Sequence, residues 1–254
     1  MFKKIILASI LAISTSFAAW DLFPVLENHK GQAKLRTSLA TCTLHKVNYT
    51  LDLFAGVRYT VVSDLELALS VPYAVFSYAG KNIGINGFGN PELSARYQFI
   101  PTMNVFADVY FPVGDESVVD ESWGFTAGLQ FSTRFSPLLN FGSELGVSFE
   151  TYGERRNAPL SAFVDAELDF AVTPQFTPYI VASVDVNLGG FDKIDGYEFG
   201  NADGGYTYIA LGGGTKYDIN QIVTLDASVW FSKLVNRIDS PVSISVSLAA
   251  FFNF

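Results

Sequence analysis

The sequence predicts an all-β protein, a closed transmembrane antiparallel up-and-down β-barrel of about twelve strands. Apolar and polar residues alternate with a period of two, segment after segment, from residue 33 to the last residue. Hydrophobic residues make up 49% of the chain. After the first segment, however, no run reaches the roughly 18 consecutive apolar residues that a spanning helix requires. The apolar content is therefore spread over many short alternating strands.

The N-terminal residues have the features of a secretory signal peptide. Lys3 and Lys4 precede an apolar run from Ile5 to Ile13, and small residues lead to a cleavage site after Ala18. The apolar run is too short to span a bilayer. We expect the mature protein to be exported to the cell outer membrane of a Gram-negative bacterium.

Three regions follow from this pattern. Residues 1–18 form the signal peptide, and residues 33–254 form the outer-membrane barrel. Residues 19–32 form either a periplasmic tail or a small plug in the lumen, and the sequence does not decide between the two.

Twelve segments alternate strictly. In the last segment Val242, Ile244 and Val246 begin the apolar face, and serines occupy the positions between them. The predicted strands are 33–43, 48–60, 64–76, 91–100, 103–113, 122–135, 138–152, 159–172, 177–188, 205–218, 222–235 and 241–254. A soluble β-sandwich would also alternate, so alternation alone does not decide the class of protein.

Two other features favour a membrane barrel over a sandwich. Tight connections, such as Pro101-Thr102 and Asn220-Gln221, alternate with mostly longer polar loops, such as 77–90 and 189–204. Outer-membrane barrels show this rhythm of short periplasmic turns and longer outer loops. Aromatic residues of the apolar face also collect at the strand ends, where the two interfaces of a bilayer would lie.

Composition limits the partners. The chain has 16 Lys and Arg against 25 Asp and Glu. An acidic protein is a poor ligand for phosphate backbones, so nucleic acid is not an expected partner. The single cysteine, Cys42, excludes a disulfide framework within the chain. We expect contacts with outer-membrane lipid and lipopolysaccharide, and no cofactor.

The C-terminal strand ends in Phe254. A terminal aromatic strand resembles the signal by which outer-membrane barrels are recognised for insertion. We therefore expect the barrel-assembly machinery to bind this strand.

The polar face carries charges at two levels. Basic residues lie near the periplasmic strand ends, and acidic residues form one wall above them. The candidate pore-lining residues are Arg36, Arg58, Arg96, Arg134, Lys216, Glu144, Asp165, Glu167, Asp185 and Asp226. One interpretation is a charged constriction that selects small anionic or zwitterionic solutes. The other is a salt-bridge network that fills the lumen and keeps the barrel closed.

An enzyme is not expected. Lipid-hydrolysing barrels require a serine and a histidine oriented by a third residue. The two histidines here, His29 and His45, lie in the N-terminal segment and in the first loop, without an evident orienting acid. The acidic loops lack the spacing of a calcium-binding loop, so no metal site is expected.

Three motifs carry a family resemblance. They are Leu67–Tyr73, which ends in a Pro-Tyr pair, Gly87–Tyr97, which begins Gly-Phe-Gly-Asn, and Phe111–Asp115, which reads Phe-Pro-Val-Gly-Asp. In order and spacing they resemble the outer-membrane transporter family of the phenol-degradation meta-pathway type, a β-barrel family. This chain departs from the family at Asn90, where Asp is usual. The resemblance implies a transport role, and it does not imply phenol as the solute.

The sequence thus predicts a narrow diffusion channel or transporter for small polar or charged solutes. A non-conducting structural or adhesion barrel with a closed, salt-bridged lumen is the alternative.

Export and cleavage are directly testable. We expect the mature protein in outer-membrane fractions to begin at Ala19, because the small residues before it suit signal peptidase. N-terminal sequencing and intact mass would establish this. A mature protein that retains Lys3 and Lys4 would contradict it.

Overall fold

The structure is a computed structural model. It describes residues 25–42, 48–79, 82–83, 86–119, 121–153, 157–192, 196–199, 205–235 and 240–254. The predicted signal peptide, residues 19–24 and His45 lie outside these ranges. Within the described ranges, no helix is both long and apolar enough to cross a membrane.

Within the described residues, the chain forms twelve long strands and three short ones. The long strands are β1 (Gly31–Cys42), β2 (Asn48–Val62), β3 (Leu65–Ala79), β6 (Glu92–Ile100), β7 (Met103–Tyr110), β8 (Gly124–Ser136), β9 (Leu139–Glu150), β10 (Asn157–Phe170), β11 (Phe176–Asp192), β13 (Thr207–Asp218), β14 (Val223–Leu234) and β15 (Val242–Asn253). The short strands are β4 (Asn82–Ile83), β5 (Gly87–Phe88) and β12 (Gly196–Phe199).

The sheet closes on itself. Each long strand pairs antiparallel with the long strands before and after it, and β1 pairs with β15. At this seam Gln32 lies opposite Asn253, and the register continues without a break to Cys42 opposite Ser243. Closure pairs the edge strands, which would otherwise present unpaired backbone groups to lipid. The predicted fold, a closed antiparallel barrel of twelve strands, is confirmed.

The barrel is apolar outside and polar inside. Leucine, valine and aromatic side chains are exposed on the outer face, and Leu145 at mid-height of β9 is 56% exposed. The inner face buries polar groups instead, among them Arg58, Glu66 and Thr60. This inversion of a soluble protein's pattern follows from the solvent, because lipid surrounds the outer face.

The strand ends agree with the predicted segments within a few residues. The sequence pattern missed the three short strands, which lie in the long connections 77–90 and 189–204. Two of them, β4 and β5, pair with β3 at its loop end. They are too short to show alternation, so periodicity could not detect them.

The three motifs of the family resemblance meet at one place above β3. The Gly89 amide donates to the Pro72 carbonyl at 2.9 Å. The Phe88 amide donates to Asp115 Oδ2 at 2.5 Å, and the Asp115 amide donates back to the Phe88 carbonyl at 2.8 Å. The Gly114 amide donates to Asn90 Oδ1 at 3.1 Å. Because Asn90 acts here as an acceptor, an aspartate would serve equally.

Close backbone approach explains the glycines of this junction. A Cβ on Gly114 would lie 2.7 Å from the carbonyl carbon of Gly89. Gly87 has φ 153°, a conformation that side chains with a Cβ rarely adopt. These contacts join the loop after β7 to β3 where regular pairing has stopped.

The lipid-facing assignment gives a stability prediction. Leu145 lies opposite Leu129 and Val164 near the middle of the wall. Leu145→Arg should destabilise the folded barrel by about 2–4 kcal/mol, the cost of a cation near the bilayer midplane. Urea unfolding in lipid vesicles measures this. The matched control is Val113→Arg in the loop after β7, where the side chain is 72% exposed. Equal effects in the two variants would contradict the assignment.

Candidate functional site

A chain of hydrogen bonds and ion pairs runs around part of the lumen near the tight-turn end of the barrel. We call it the polar belt, and it consists of Asn253, Gln32, Arg58, Glu66, Arg96, Gln130 and Glu144. Its members come from β15, β1, β2, β3, β6, β8 and β9. The belt therefore crosses the barrel seam and extends along about two thirds of the wall, passing over β7 between Arg96 and Gln130.

Arg58 is the first centre of the belt. Its Nε and Nη2 donate to Gln32 Oε1 at 3.1 and 2.8 Å. Gln32 Nε2 in turn donates to Asn253 Oδ1 at 2.7 Å. Arg58 Nη1 also lies 3.6 Å from Glu66 Oε1. The guanidinium is buried, so these partners replace the water that it would otherwise require.

Glu66 and Arg96 continue the belt. Arg96 Nη1 lies 3.1 Å from Glu66 Oε1, and Arg96 Nε donates to Gln130 Oε1 at 2.8 Å. Gln130 Nε2 donates to Glu144 Oε2 at 2.5 Å. Glu66, only 1% exposed, thus lies between two guanidinium groups. One carboxylate shared by two arginines is a strong charge-assisted arrangement.

The segment before β1 lies against the belt. The Leu26 amide donates to Glu66 Oε2 at 3.1 Å, and Thr60 Oγ1 donates to the Leu26 carbonyl at 3.0 Å. The Val25 amide donates to Gln98 Oε1 at 3.2 Å. Residues 25 and 26 therefore contact the inner wall directly. Gly31 and Gln32 lie in β1. For the rest of residues 19–30, the choice between a tail and a plug stays a prediction.

Beyond the belt, the wall from β7 to β11 fills its side of the lumen with large and acidic side chains. Phe106 and Phe163 approach each other at 6.5 Å between ring centroids. Their rings occupy the space above Gly128 and Gly146, where a Cβ would overlap them. Glu144 lies directly opposite Asp165 in the register of β9 and β10. Two carboxylates at such a position repel each other unless another group intervenes.

The opposite side of the lumen is open. A cavity of about 350 Å³ runs along β1, β15 and β14 and reaches their neighbours. Every inward position of those three strands within the cavity's height lines it. The lining residues are Gln32, Lys34, Arg36, Ser38 and Ala40 of β1, Ser243, Ser245, Ser247, Ala249 and Phe251 of β15, and Thr224, Asp226, Ser228, Trp230 and Ser232 of β14.

Charged residues from β10 and β13 form the far wall of the cavity. Lys216 Nζ lies 2.8 Å from Glu167 Oε1 and 3.5 Å from Asp169 Oδ2. The Tyr179 hydroxyl donates to Asp226 Oδ1 at 3.1 Å. Lys216 Nζ also lies 5.1 Å from the centroid of the Tyr179 ring, within range of a cation–π contact.

The Gly212-Gly213-Gly214 run of β13 gives these aromatic rings their space. A Cβ on Gly212 would lie 2.5 Å from the Trp230 ring, and one on Gly214 would lie 2.6 Å from the Tyr179 hydroxyl oxygen. Close packing inside the lumen therefore accounts for Gly212 and Gly214.

The ten predicted pore-lining residues fall into four places. Arg58, Arg96 and Glu144 belong to the polar belt. Arg36, Lys216, Glu167 and Asp226 line the cavity. Asp165 and Asp185 lie on the inner face opposite it, beside Ser183 and Phe163 respectively. Arg134 is exposed near the end of β8, where it donates to the carbonyls of Ser136 and Pro137. A constriction role for any of them stays a prediction.

Sequence reasoning missed several lumen residues. Lys34 has the same strand parity as Arg36, and this spacing could have identified it. It lies 5.1 Å from the Phe251 ring centroid and 5.7 Å from that of Phe54. Gln32 and Gln130 carry no charge, so only their hydrogen bonds in the structure identify them as members of the polar belt. Among the described residues, no group of three or more His, Cys, Asp or Glu is placed to hold a metal ion.

Comparison with known protein families finds a match for this chain. The model of the family described as "Putative MetA-pathway of phenol degradation" matches residues 41–233. The chain belongs to this family. The resemblance predicted from the three motifs is thereby confirmed. No curated protein matches the sequence.

Solved structures with the same fold are outer-membrane barrels. An outer membrane channel from Pseudomonas putida F1 matches with a TM-score of 0.72 at 10% identity, over 91% of this chain and 98% of that one. The translocator domain of the autotransporter NalP from Neisseria meningitidis matches with a TM-score of 0.63 at 10% identity, over 97% and 96%. The monoaromatic hydrocarbon channel CymD matches with a TM-score of 0.52 at 10% identity, over 90% and 89%.

The belt gives a prediction about stability. Glu66→Gln should lower the free energy of unfolding by about 3–5 kcal/mol, because two buried guanidinium groups would lose their shared anion. The same amide substitution at Glu116, which is exposed in the outer loop, is the control. Urea titrations of both variants in detergent micelles measure the difference. A loss no larger than that of Glu116→Gln would contradict the structural role of the belt.

Proposed function

We propose that the protein is a narrow channel of the bacterial outer membrane that passes small polar or charged solutes. One observation carries the proposal. A single cavity is lined by five successive inward positions on each of three neighbouring strands, β1, β15 and β14.

The cavity extends through most of the membrane-spanning part of the barrel. Along β15 its lining extends from Ser243 to Phe251. Eight residue steps cover about 27 Å along a strand, which at a strand tilt of about 35–45° corresponds to about 19–22 Å along the membrane normal. The apolar band of an outer-membrane barrel is about 25 Å tall. A path along β15 would therefore cross most of this band.

The lining suits polar solutes better than hydrocarbons. Hydroxyl groups of Ser243, Ser245 and Ser247 follow one another along β15, and charged side chains lie below and across from them. Hydroxyls can replace part of the hydration shell of a passing solute. CymD is a monoaromatic hydrocarbon channel, and the lining here does not favour extending that solute class to this chain.

The arginines do not support a simple preference for anions. Arg58 and Arg96 both lie against Glu66, and Arg134 is exposed near the end of β8. Arg36 and Lys34 line the cavity together with Glu167, Asp169 and Asp226. A lining with charges of both signs supports weak selectivity between small anions and cations.

The membrane setting completes the proposal. Outer-membrane lipid and lipopolysaccharide would cover the apolar face, and the barrel-assembly machinery would recognise the C-terminal strand that ends at Phe254. The protein would have no enzymatic activity and no cofactor. The polar belt, which shares only Gln32 with the cavity lining given above, favours the alternative, a closed structural barrel, for the part of the lumen away from the cavity.

Single-channel conductance separates the two functions. We expect the refolded mature protein to give discrete current steps in a planar bilayer. A sealed barrel would fold, as judged by its resistance to denaturation by detergent, and would give no steps.

A blocking substitution tests the path. Ser245 lies between Ala40 and Trp230 in the register of β1, β15 and β14. Ser245→Trp should lower the unit conductance severalfold, because an indole would fill the cavity beside Trp230. Val246→Trp is the matched control, since Val246 is 47% exposed on the outer face. Equal conductance of the two variants would show that ions take another route.

A further inference from the structure

The cavity contains a notch between two opposite charges. Arg36 of β1, Ala249 of β15 and Asp226 of β14 occupy one register row on the inner face. Ala249 is buried and has only a methyl side chain. A cation and an anion therefore flank a position where the wall itself has almost no side chain.

Both charges are held from their far sides. The Arg36 guanidinium lies 5.0 Å from the centroid of the Phe54 ring on β2, the strand on the other side of β1 from Ala249. The Tyr179 hydroxyl, which belongs to β11, donates to Asp226 at 3.1 Å. Two strand spacings separate the Cα atoms of Arg36 and Asp226, about 10 Å. Ala249 lies between them and lines the cavity.

The rows above and below complete the notch. On one side Ser247 lies between Ser38 and Ser228, and Ser247 Oγ donates to Ser38 Oγ at 3.0 Å. On the other side the Phe251 ring lies between Lys34 and Thr224. The notch therefore has hydroxyls on one side, an aromatic ring on the other, and charges of opposite sign at its two ends.

The geometry points to a binding site for small zwitterions of the size of an α-amino acid, with the ligand's carboxylate toward Arg36 and its ammonium toward Asp226. A small zwitterion carries its two charges a few ångströms apart, so its anionic group can face Arg36 while its cationic group faces Asp226. A ligand with one charge would make a charge-assisted contact at one end of the notch only. A neutral ligand would satisfy neither.

This inference rests on the proposed channel, and it names the solute class that the channel would favour. A shallow site of this kind suits conduction, because a solute must bind well enough to enter and weakly enough to leave. The polar belt contributes no residue to the notch, so the two features can be tested separately.

Four molecules of nearly equal size provide the probes. L-alanine is a zwitterion, L-lactate an anion, L-alaninamide a cation and L-lactamide a neutral molecule. Titration calorimetry of the folded barrel in micelles measures binding, and block of single-channel current in a planar bilayer measures occupancy of the path. We expect L-alanine to bind and block more strongly than the other three.

Three variants examine the two charges and the space between them. Arg36→Gln and Asp226→Asn should each weaken L-alanine binding at least about tenfold, because each removes one charge-assisted contact. The double variant should bind L-alanine more weakly than either single variant, since it removes both charge-assisted contacts. Ala249→Leu should abolish binding by filling the notch.

Matched controls keep these results specific. Asp64→Asn removes a carboxylate at the turn between β2 and β3, outside the lumen. Ala250→Leu adds the same bulk one residue farther along β15, on the outer face. Both should bind L-alanine as the wild type does. Loss of binding in these controls would attribute the effect to general destabilisation and overturn the assignment.

The remaining outcomes separate this inference from the proposed function. Current steps that all four molecules affect alike would overturn the zwitterion site and leave the channel intact. Saturable binding of L-alanine by a barrel without conductance would overturn the channel and leave the site. Absence of both would overturn both.

Discussion

The need to pair every backbone N–H and C=O group away from water determines the architecture of this protein. In hydrocarbon an unpaired group costs several kcal/mol, so an open sheet edge is not tolerated. Pairing of β1 with β15 removes the last two edges. Once the sheet is closed, the side chains at alternate positions point to the lipid, and the side chains between them point to the lumen. The polar lumen is thus a consequence of closure.

Within that lumen, side-chain size is distributed unevenly around the barrel. Phe106, Phe163 and the polar belt occupy one part of the wall, whereas serine and alanine predominate on β15. A barrel of about twelve strands is only moderately wider than the smallest barrels, whose side chains fill the interior. Space for a solute can therefore persist only where the wall is built from small residues. The contacts among the three family motifs lie outside this part of the wall, at the loop end of β3.

Most of the fold could be predicted from the sequence, because strict alternation indicates where each strand lies and which of its residues face the lipid. The inner placement of Arg58 and Glu66 followed from parity alone. Their partnership did not, since it depends on which strands are neighbours and on rotamers that no periodic pattern contains. The same holds for the notch. Arg36, Ala249 and Asp226 are far apart in sequence, and only the register of β1, β15 and β14 brings them into one row.

The bond between Gln32 and Asn253 has a consequence for assembly. A slip of one residue at the seam would send apolar side chains into the lumen, and hydrophobicity alone prevents it. A slip of two residues preserves the inside and outside faces, so hydrophobicity cannot distinguish it from the native pairing. Such a slip would replace Asn253 with Phe251 opposite Gln32 and break the 2.7 Å hydrogen bond between the amides. The Gln32–Asn253 and Ser38–Ser247 side-chain pairs thus distinguish the correct closure from this slip, at the step when the last strand meets the first.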